Sequence, residues 1–238
     1  MTNLSVNVNK IALLRNSRHI NIPNVLAFAL NAIDFGADGI TVHPRPDGRH
    51  IRISDVWDIS KNLINNEFNI EGYPTSEFIE LVTEVKPAQV TLVPDPPDAF
   101  TSSFGWNLIQ QNKFLLPILE HFKRHNIRTS LFLDPDLTQL KPLFDLPADR
   151  IELYTEPYAQ QFSQSPEKAI FPYIEFSEKV HANGIGINAG HDLNLQNLKF
   201  LKQQIPYLAE VSIGHALVAD ALYFGIQQTI QRYKEQLV

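Results

Sequence analysis

One short stretch of the sequence, TVHPRPDGRHIR at residues 41–52, concentrates side chains that could do chemistry. It holds two histidines and three arginines in twelve residues, although the formal net charge of the whole chain is −6. Guanidinium groups bind anions through charge-assisted hydrogen bonds, and histidine exchanges protons near neutral pH. The stretch therefore indicates a site for a phosphorylated or otherwise anionic ligand. The alternative for Arg49 and Arg52 is that they are ordinary surface charges.

Other polar side chains follow apolar runs elsewhere in the chain. In sequence order, these candidates are Asn7, Asn9, Lys10, His43, Glu71, Asp134, Glu152, His191, Asp192, Gly214 and His215. Burying a glutamate is costly unless it is paired or functional, so Glu71, which directly follows the run FNI, is a candidate for chemistry. Two structural alternatives stay open: Asp134 as the N-cap of the next helix, and Glu152 as the partner of Arg150.

The elements that must position these side chains alternate along the chain. Apolar runs predict strands at residues 4–11, 39–43, 68–71, 89–93, 128–134, 150–155, 186–189 and 210–215. Amphipathic stretches predict helices at residues 24–35, 78–85, 114–125, 170–182, 195–204 and 217–233, with stops near Gly36, Asn126 and Gly184. Alternation of this kind is typical of parallel βαβ units. Eight strands that are mostly apolar on both faces predict an α/β protein whose sheet closes into a (β/α)8 TIM barrel. The alternative is an open doubly wound sheet, but the first strand is not followed by G-x-G-x-x-G.

A closed barrel would gather the candidates, because barrel enzymes place their chemistry at the C-terminal ends of the strands. Four of the eight histidines, His43, His50, His191 and His215, then fall at one rim. The glycines in NAGHD and IGHA follow the seventh and eighth strands, where exposed N–H groups and helix starts commonly bind phosphate. These two loops therefore indicate a second contribution to anion binding.

Composition limits the other possibilities. We expect the 238 residues to form one domain, residues 1–238, because no Pro/Gly/Ser-rich linker or charge block divides them. The sequence pI of about 5.7 argues against nucleic acid as a partner, and the lack of cysteine excludes disulfides and thiolate chemistry. Neither a signal peptide nor a long apolar run is present, so we expect a cytoplasmic protein without a membrane partner. Residues 94–107 read as a lid, with disorder as the alternative.

Seven motifs, taken in order, resemble those of the pyridoxine 5′-phosphate synthase family. They are NVNKIALLRNSR, GADGITVHPRPDGRHI, FNIEGYP, VTLVPD, RIELYTEPYA, INAGHDLNLQNL and SIGHALVADAL, and the resemblance runs from about residue 4 to residue 228. It implies a (β/α)8 barrel with additional helices, assembled as a homo-octamer built from dimers. It also implies a transferase of vitamin B6 biosynthesis that condenses 1-deoxy-D-xylulose 5-phosphate with 3-amino-2-oxopropyl phosphate, without metal or organic cofactor.

The resemblance also assigns roles to residues. It implies that His43 is a catalytic acid/base, Glu71 the general base and His191 the proton donor. The substrate-binding positions that it implies are Asn7, Arg18, Arg45, His50, Thr101, Glu152, Gly214 and His215, with Arg45 and His50 on substrate phosphate. Arg18 is expected to reach the site of a neighbouring subunit.

The chain departs from the family pattern at two places in the predicted site. Asn9 and Lys10 stand where the family has an Asp-His pair, and Asp192 replaces the glycine that follows the seventh-strand histidine. We count all three among the predicted substrate-binding residues. Lys10 is predicted to act as an electrostatic ligand, because the family reaction needs no amine from the enzyme.

Two rival functions remain at this point. A metal-dependent barrel hydrolase would use His43, Glu71, Asp134, His191 and His215 as ligands, although Lys10 would repel the metal. A phosphosugar-binding barrel without catalysis would keep Arg45 and the glycine loops, but it would not need Glu71 together with His43 and His191.

Overall fold

Eight parallel strands close into a barrel in the computed structural model, which describes residues 1–95 and 103–238. The strands are β1 (Asn3–Asn7), β2 (Gly39–Val42), β3 (Glu67–Gly72), β4 (Gln89–Leu92), β5 (Arg128–Leu133), β6 (Arg150–Tyr154), β7 (Gly186–Gly190) and β8 (Leu208–Ile213). Each strand pairs with the next one in the chain, and β8 pairs with β1 through residues such as Val211 and Leu4. The predicted (β/α)8 barrel is thus confirmed, and the open doubly wound sheet is wrong.

Helices surround the barrel. They are α1 (Asn9–Asn16), α2 (Val25–Asp34), α3 (Ile53–Asn62), α4 (Ser76–Val85), α5 (Leu108–Arg124), α6 (Leu140–Phe144), α7 (Glu156–Phe162), α8 (Pro166–Ala182), α9 (Leu198–Gln204), α10 (His215–Phe224) and α11 (Ile226–Glu235). The sequence pattern missed α1, α3, α6 and α7. Within the described ranges, none of these helices has the length and apolarity to cross a membrane.

The first predicted strand was too long. The strand ends at Asn7, whose Oδ1 accepts a hydrogen bond from the Asn9 backbone N–H at 3.0 Å and turns the chain. The Val8 carbonyl then accepts the N–H groups of Ile11 and Ala12, both at 3.1 Å, which starts α1. The apolar pattern did not change at this point, because the same buried side chains satisfy a strand and an inward helix face.

Helix ends behaved as the sequence predicted at three positions. Gly36, Asn126 and Gly184 all adopt positive φ, at 108°, 57° and 77°, which stops a helix with little or moderate strain.

The prediction of a single helix at residues 217–233 was wrong. Gly225, with φ of 72°, divides it into α10 and α11.

Polar side chains line part of the barrel interior below the C-terminal rim. The Ser5 and Thr41 hydroxyls lie 2.7 Å apart, and the Thr91 hydroxyl donates to Asn69 Oδ1 at 3.1 Å. All four are buried. Buried polar groups that satisfy one another in this way form a rigid floor. Thr91 extends it towards the rim, as its hydroxyl is also 3.4 Å from Glu152 Oε2.

The last residues of the predicted lid are fixed to the rim. The Gly105 N–H donates to Asp134 Oδ2 at 2.8 Å, and the Trp106 indole N–H donates to the Leu92 carbonyl at 2.8 Å. A Cβ at Gly105 would lie 2.5 Å from Leu133 Cα, so only glycine allows this approach. Asp134 therefore anchors the lid segment and does not cap a helix. Residues 96–102, which include Thr101 and the centre of the predicted lid, lie outside the described residues.

Candidate active site

A cavity of about 420 Å³ opens at the C-terminal rim of the barrel. It is lined by twelve predicted site residues: Asn7, Asn9, Lys10, His43, Arg45, His50, Glu71, Glu152, His191, Asp192, Gly214 and His215. The structure therefore brings together side chains from six different strand ends or following loops. Arg18 is exposed beyond the end of α1 and does not line this cavity, and Thr101 is outside the described residues.

Glu71 lies at the centre of the cavity wall. Its carboxylate is buried, within 3.4 Å of Asn7 Nδ2 and 3.5 Å of Ser212 Oγ, and its Oε2 is 4.0 Å from His43 Nδ1. Burial, followed by repulsion from Glu152, raises the pKa of Glu71 well above its usual value. A carboxylate with a raised pKa is a stronger proton acceptor, which suits a general base.

Glu152 is the second buried carboxylate. Its Oε2 lies 3.4 Å from the Thr91 hydroxyl, and burial raises the pKa of Glu152 to about 7. The open alternative, that Glu152 is the partner of Arg150, is wrong. Arg150 instead donates to Asn188 Oδ1 at 3.1 Å and lies 3.8 Å from Glu210, deeper in the barrel.

Both histidines of the β2–α3 loop have lowered pKa values, which favour the neutral form of each ring. Burial, then the charge of Arg45, lowers the pKa of His43 well below its usual value. The same two causes, in the same order, lower the pKa of His50 to about 4. His50 Nδ1 accepts the backbone N–H of Ile51 at 2.9 Å, so the ring proton lies on Nε2 and is free to be donated.

Helix α1 holds this loop in place. Asn16 Nδ2 donates to the carbonyls of Gly48, Arg49 and His50 at 3.3, 3.0 and 2.8 Å. Arg15 forms a buried ion pair with Asp55 at the start of α3 and donates to the His50 carbonyl at 3.1 Å. Arg15 and Asn16, to which the sequence analysis gave no role, thus hold in place the loop that presents the cationic residues.

Asn9 has a structural role at the end of β2. Its Oδ1 accepts the His43 backbone N–H at 2.9 Å. An aspartate at this position would offer the same acceptor, so the departure from the family pattern preserves the contact. Lys10 lies beside it at the exposed side of the cavity.

The loop after β7 has a strained backbone. His191 and Asp192 have φ of 87° and 59°, which costs energy for residues other than glycine. The Thr155 hydroxyl lies 2.8 Å from the Gly190 carbonyl and 2.6 Å from the His191 carbonyl, which fixes the loop. Contact with His191 lowers the pKa of Asp192.

Sequence reasoning missed two polar side chains of the cavity, Glu156 and Ser212. Ser212 contacts Glu71, and Glu156 Oε2 lies 3.9 Å from His191 Nδ1. Glu156 follows the sixth strand by two residues, so its place in the sequence gave a signal that was not used. Ser212 lies within an apolar strand and gave none.

The ligand set of the rival metal hydrolase is not assembled within residues 1–95 and 103–238. Asp134 is engaged elsewhere, because its side chain accepts the Gly105 N–H. In the described part of the chain, the side chains whose possible ligand atoms lie within 4.8 Å of one another are those of Glu156, His191 and Asp192. His43, Glu71 and His215 do not belong to that group.

The rim of this barrel combines proton-transfer groups with anion-binding side chains. Together with the fold, this combination places the chain in the class of barrel enzymes that use acid–base chemistry. Within that class, the chain belongs to the pyridoxal phosphate biosynthesis protein PdxJ family, whose sequence model matches residues 4–238. The chain is 54% identical over 237 residues to pyridoxine 5′-phosphate synthase of Porphyromonas gingivalis, covering 100% of this chain and 99% of the relative. It is 56% identical over 234 residues to the protein of the same name from Parabacteroides distasonis, covering 98% of each.

Solved structures agree with the fold. Tryptophan synthase from M. tuberculosis in its aminoacrylate-bound form superimposes with a TM-score of 0.67, covering 100% of this chain and 94% of that one. The sequence identity is 12%, so this likeness concerns the barrel alone.

Proposed function

We propose that this enzyme of vitamin B6 biosynthesis condenses 1-deoxy-D-xylulose 5-phosphate with 3-amino-2-oxopropyl phosphate. The products are pyridoxine 5′-phosphate, inorganic phosphate and water. The observation that carries the proposal is the position of Glu71, a buried carboxylate that faces a neutral His43 across the same cavity that Arg45 and His50 line. Family membership over residues 4–238 supports the choice of reaction.

Proton transfer in this reaction is assigned to three side chains. Forming and closing the ring requires enolisation and dehydration, so a base and an acid exchange protons several times. Glu71 accepts protons from carbon, and the neutral His43, 4.0 Å away, accepts and returns them in turn. His191, on the opposite loop, protonates the leaving oxygen.

Phosphate binding is assigned to two edges of the cavity. On one edge, Arg45 and the Nε2–H of His50 donate to phosphate oxygens. On the other, Gly214 precedes the N-terminus of α10, where free backbone N–H groups favour an anion. Lys10 adds a positive charge at the open side. Two phosphate sites match two phosphorylated substrates.

We further propose a cytoplasmic homo-octamer built from dimers. Exposed apolar side chains on α1 and α10, Leu13, Leu14, Leu222 and Tyr223, support a subunit contact on this side of the barrel. Arg18 lies just beyond α1, which suits its assignment to a neighbouring site.

The test is to mix both substrates with the purified protein and to measure pyridoxine 5′-phosphate. In Glu71→Gln, turnover should fall by roughly 10²–10⁴-fold, the usual loss when a general base is removed, while substrate binding is largely retained. Glu80→Gln, an exposed change on α4, is the matched control and should behave as the wild type. Absence of product from the wild-type enzyme would refute the function, and near-normal turnover in Glu71→Gln would refute the base.

A further inference from the structure

We propose that Glu156 is a positioning residue that holds His191 through its Nδ1 nitrogen, leaving Nε2 to exchange protons with substrate. The role of His191 in proton exchange rests on the proposed function, whereas the contact between Glu156 and His191 does not depend on it. Neither the motifs nor the family roles assign Glu156 any function. Its carboxylate is part of the cavity wall, on the first turn of α7.

The Glu156 carboxylate is fixed on both of its oxygens. Oε2 accepts a hydrogen bond from the Tyr154 hydroxyl, and Oε1 accepts one from Gln160 Nε2 at 2.7 Å. The oxygen held by Tyr154 is also the one that lies 3.9 Å from His191 Nδ1. A carboxylate that is oriented by its own hydrogen bonds can in turn orient an imidazole.

The histidine is restrained from the other directions as well. Asp192 Oδ2 lies 3.4 Å from the same Nδ1 atom, which is buried. The Tyr154 ring packs edge-on against the imidazole, with centroids 5.1 Å apart and planes at 83°. Tyr154 thus contacts both the ring of His191 and the carboxylate that faces it.

The chemistry of the contact selects one tautomer. A neutral imidazole has one N–H, and two carboxylates beside a buried Nδ1 attract that proton. Nε2 then carries a lone pair in the neutral form and a proton in the charged form, as proton exchange requires. In both forms Nδ1 keeps its proton, so each catalytic cycle uses the same atom.

A divalent cation is the competing explanation, because Glu156, His191 and Asp192 also have spacing that suits a metal. A metal bound to Nδ1 would displace the proton from that atom. The Tyr154 hydroxyl already donates to Glu156 Oε2, so the oxygen that faces His191 Nδ1 has a hydrogen-bond donor that competes with a metal for its lone pairs.

The first experiment reads the tautomer directly. Enzyme labelled with ¹⁵N-histidine is compared by NMR in the wild type, Glu156→Ala and Tyr154→Phe, and a His191→Asn sample assigns the signal. We expect an Nδ1–H form in the wild type and a mixture of tautomers in Glu156→Ala. Tyr154→Phe, which removes one hydroxyl and leaves the core packing, should give an intermediate result. An unchanged tautomer in both variants would overturn the proposal. It would also be overturned if stoichiometric Zn²⁺ displaced the Nδ1 proton and the activity of the enzyme depended on the metal.

The second experiment measures kinetics. Glu156→Ala should lower kcat by roughly 10–100-fold, as is usual for a lost orienting partner, with KM changed by less than about threefold. Glu156→Asp should recover part of kcat, and Glu167→Ala, an exposed change on α8, should have no effect. A wild-type kcat in Glu156→Ala would overturn the positioning role. If the wild type makes no product, the function fails while the NMR result still decides the contact.

Discussion

Glu71 and Glu152 lie in the same cavity with raised pKa values, and a hydroxyl group lies near each carboxylate, Ser212 Oγ at 3.5 Å from Glu71 and Thr91 Oγ1 at 3.4 Å from Glu152. Burial raises the pKa of both carboxylates, and the charge of Glu152 raises the pKa of Glu71 further. A pair of this kind loses its two protons in two steps, the first at lower pH and the second at higher pH, so one proton stays on the pair between the two steps. The arrangement keeps a proton available in the site, at a cost to the stability of the folded protein.

That cost leads to a prediction about pH. The pKa of Glu152 rises from 4.5 unfolded to about 7 folded, so the folded state binds more protons in this range and becomes less stable as pH rises through it. Glu152→Gln removes the cost of ionising a buried carboxyl group. The change that it causes in the free energy of unfolding should therefore be more stabilising at pH 8 than at pH 5, by roughly 1–3 kcal/mol. Thermal unfolding of wild type and variant at both pH values checks this. An identical difference at pH 5 and pH 8 would contradict the assignment.

Lys10 carries the other prediction at this scale. It lies on the first turn of α1, at the open side of the cavity, beside Asn9 and opposite the loop that carries Asp192. In this position it can attract substrate phosphate, and no feature calls for it as a nucleophile. Borohydride reduction of enzyme mixed with deoxyxylulose phosphate should give no covalent adduct by intact mass. A stable adduct mapped to Lys10 would imply a Schiff-base mechanism.

Among the elements, α1 is more than a connection between β1 and β2. Its last residue, Asn16, donates hydrogen bonds to three carbonyls of the β2–α3 loop. Arg15 donates to a carbonyl of the same loop and forms an ion pair with Asp55 on α3. The loop carries Arg45, Arg49 and His50, so α1 determines how the cations face the substrate. Pre-organisation of this kind lowers the cost of binding an anion.

Asn16→Ala removes the donor to all three carbonyls. We expect a stability loss of about 1–2 kcal/mol and a KM for the phosphorylated substrates raised severalfold, because Asn16 holds residues 48–50, the part of the loop that carries the phosphate ligand His50. The effect on kcat should be smaller, because His43 lies at the other end of the loop. Asn62→Ala is the matched control, since that exposed side chain donates to the Asp58 carbonyl of its own helix. A fall in kcat at constant KM would assign α1 to catalysis instead.

At the scale of the whole molecule, the closed barrel leaves apolar surface uncovered on one side. Leu222 and Tyr223 on α10 are 77% and 85% exposed, and α10 packs beside α1, which exposes Leu13 and Leu14. Exposed apolar groups on adjacent elements are typical of a protein interface. We therefore place the proposed subunit contact here.

Leu222→Asp should dissociate the assembly, because an unpaired charge is costly in an apolar contact. Light scattering coupled to gel filtration would show the mass falling towards that of smaller species. Phe171→Asp is the control, since Phe171 is 68% exposed on α8, a helix that packs against α6, α7 and α9. Equal masses for the wild type and both variants would place the contact elsewhere.

The sequence by itself determined the class of fold, the order of the strands and the family, because apolar periodicity and motif spacing are local properties. It also determined most of the cavity, since residues at strand ends converge once the barrel closes. The limits of β1 and the presence of α1, α3, α6 and α7 were decided by the tertiary structure, where hydrogen bonds from side chains at turns and packing outweigh propensity. Only that structure brought Glu156 to His191 and Asn16 to the β2–α3 loop. These contacts join residues 35 and about 33 positions apart, and their distances follow from how the barrel closes, which no local pattern encodes.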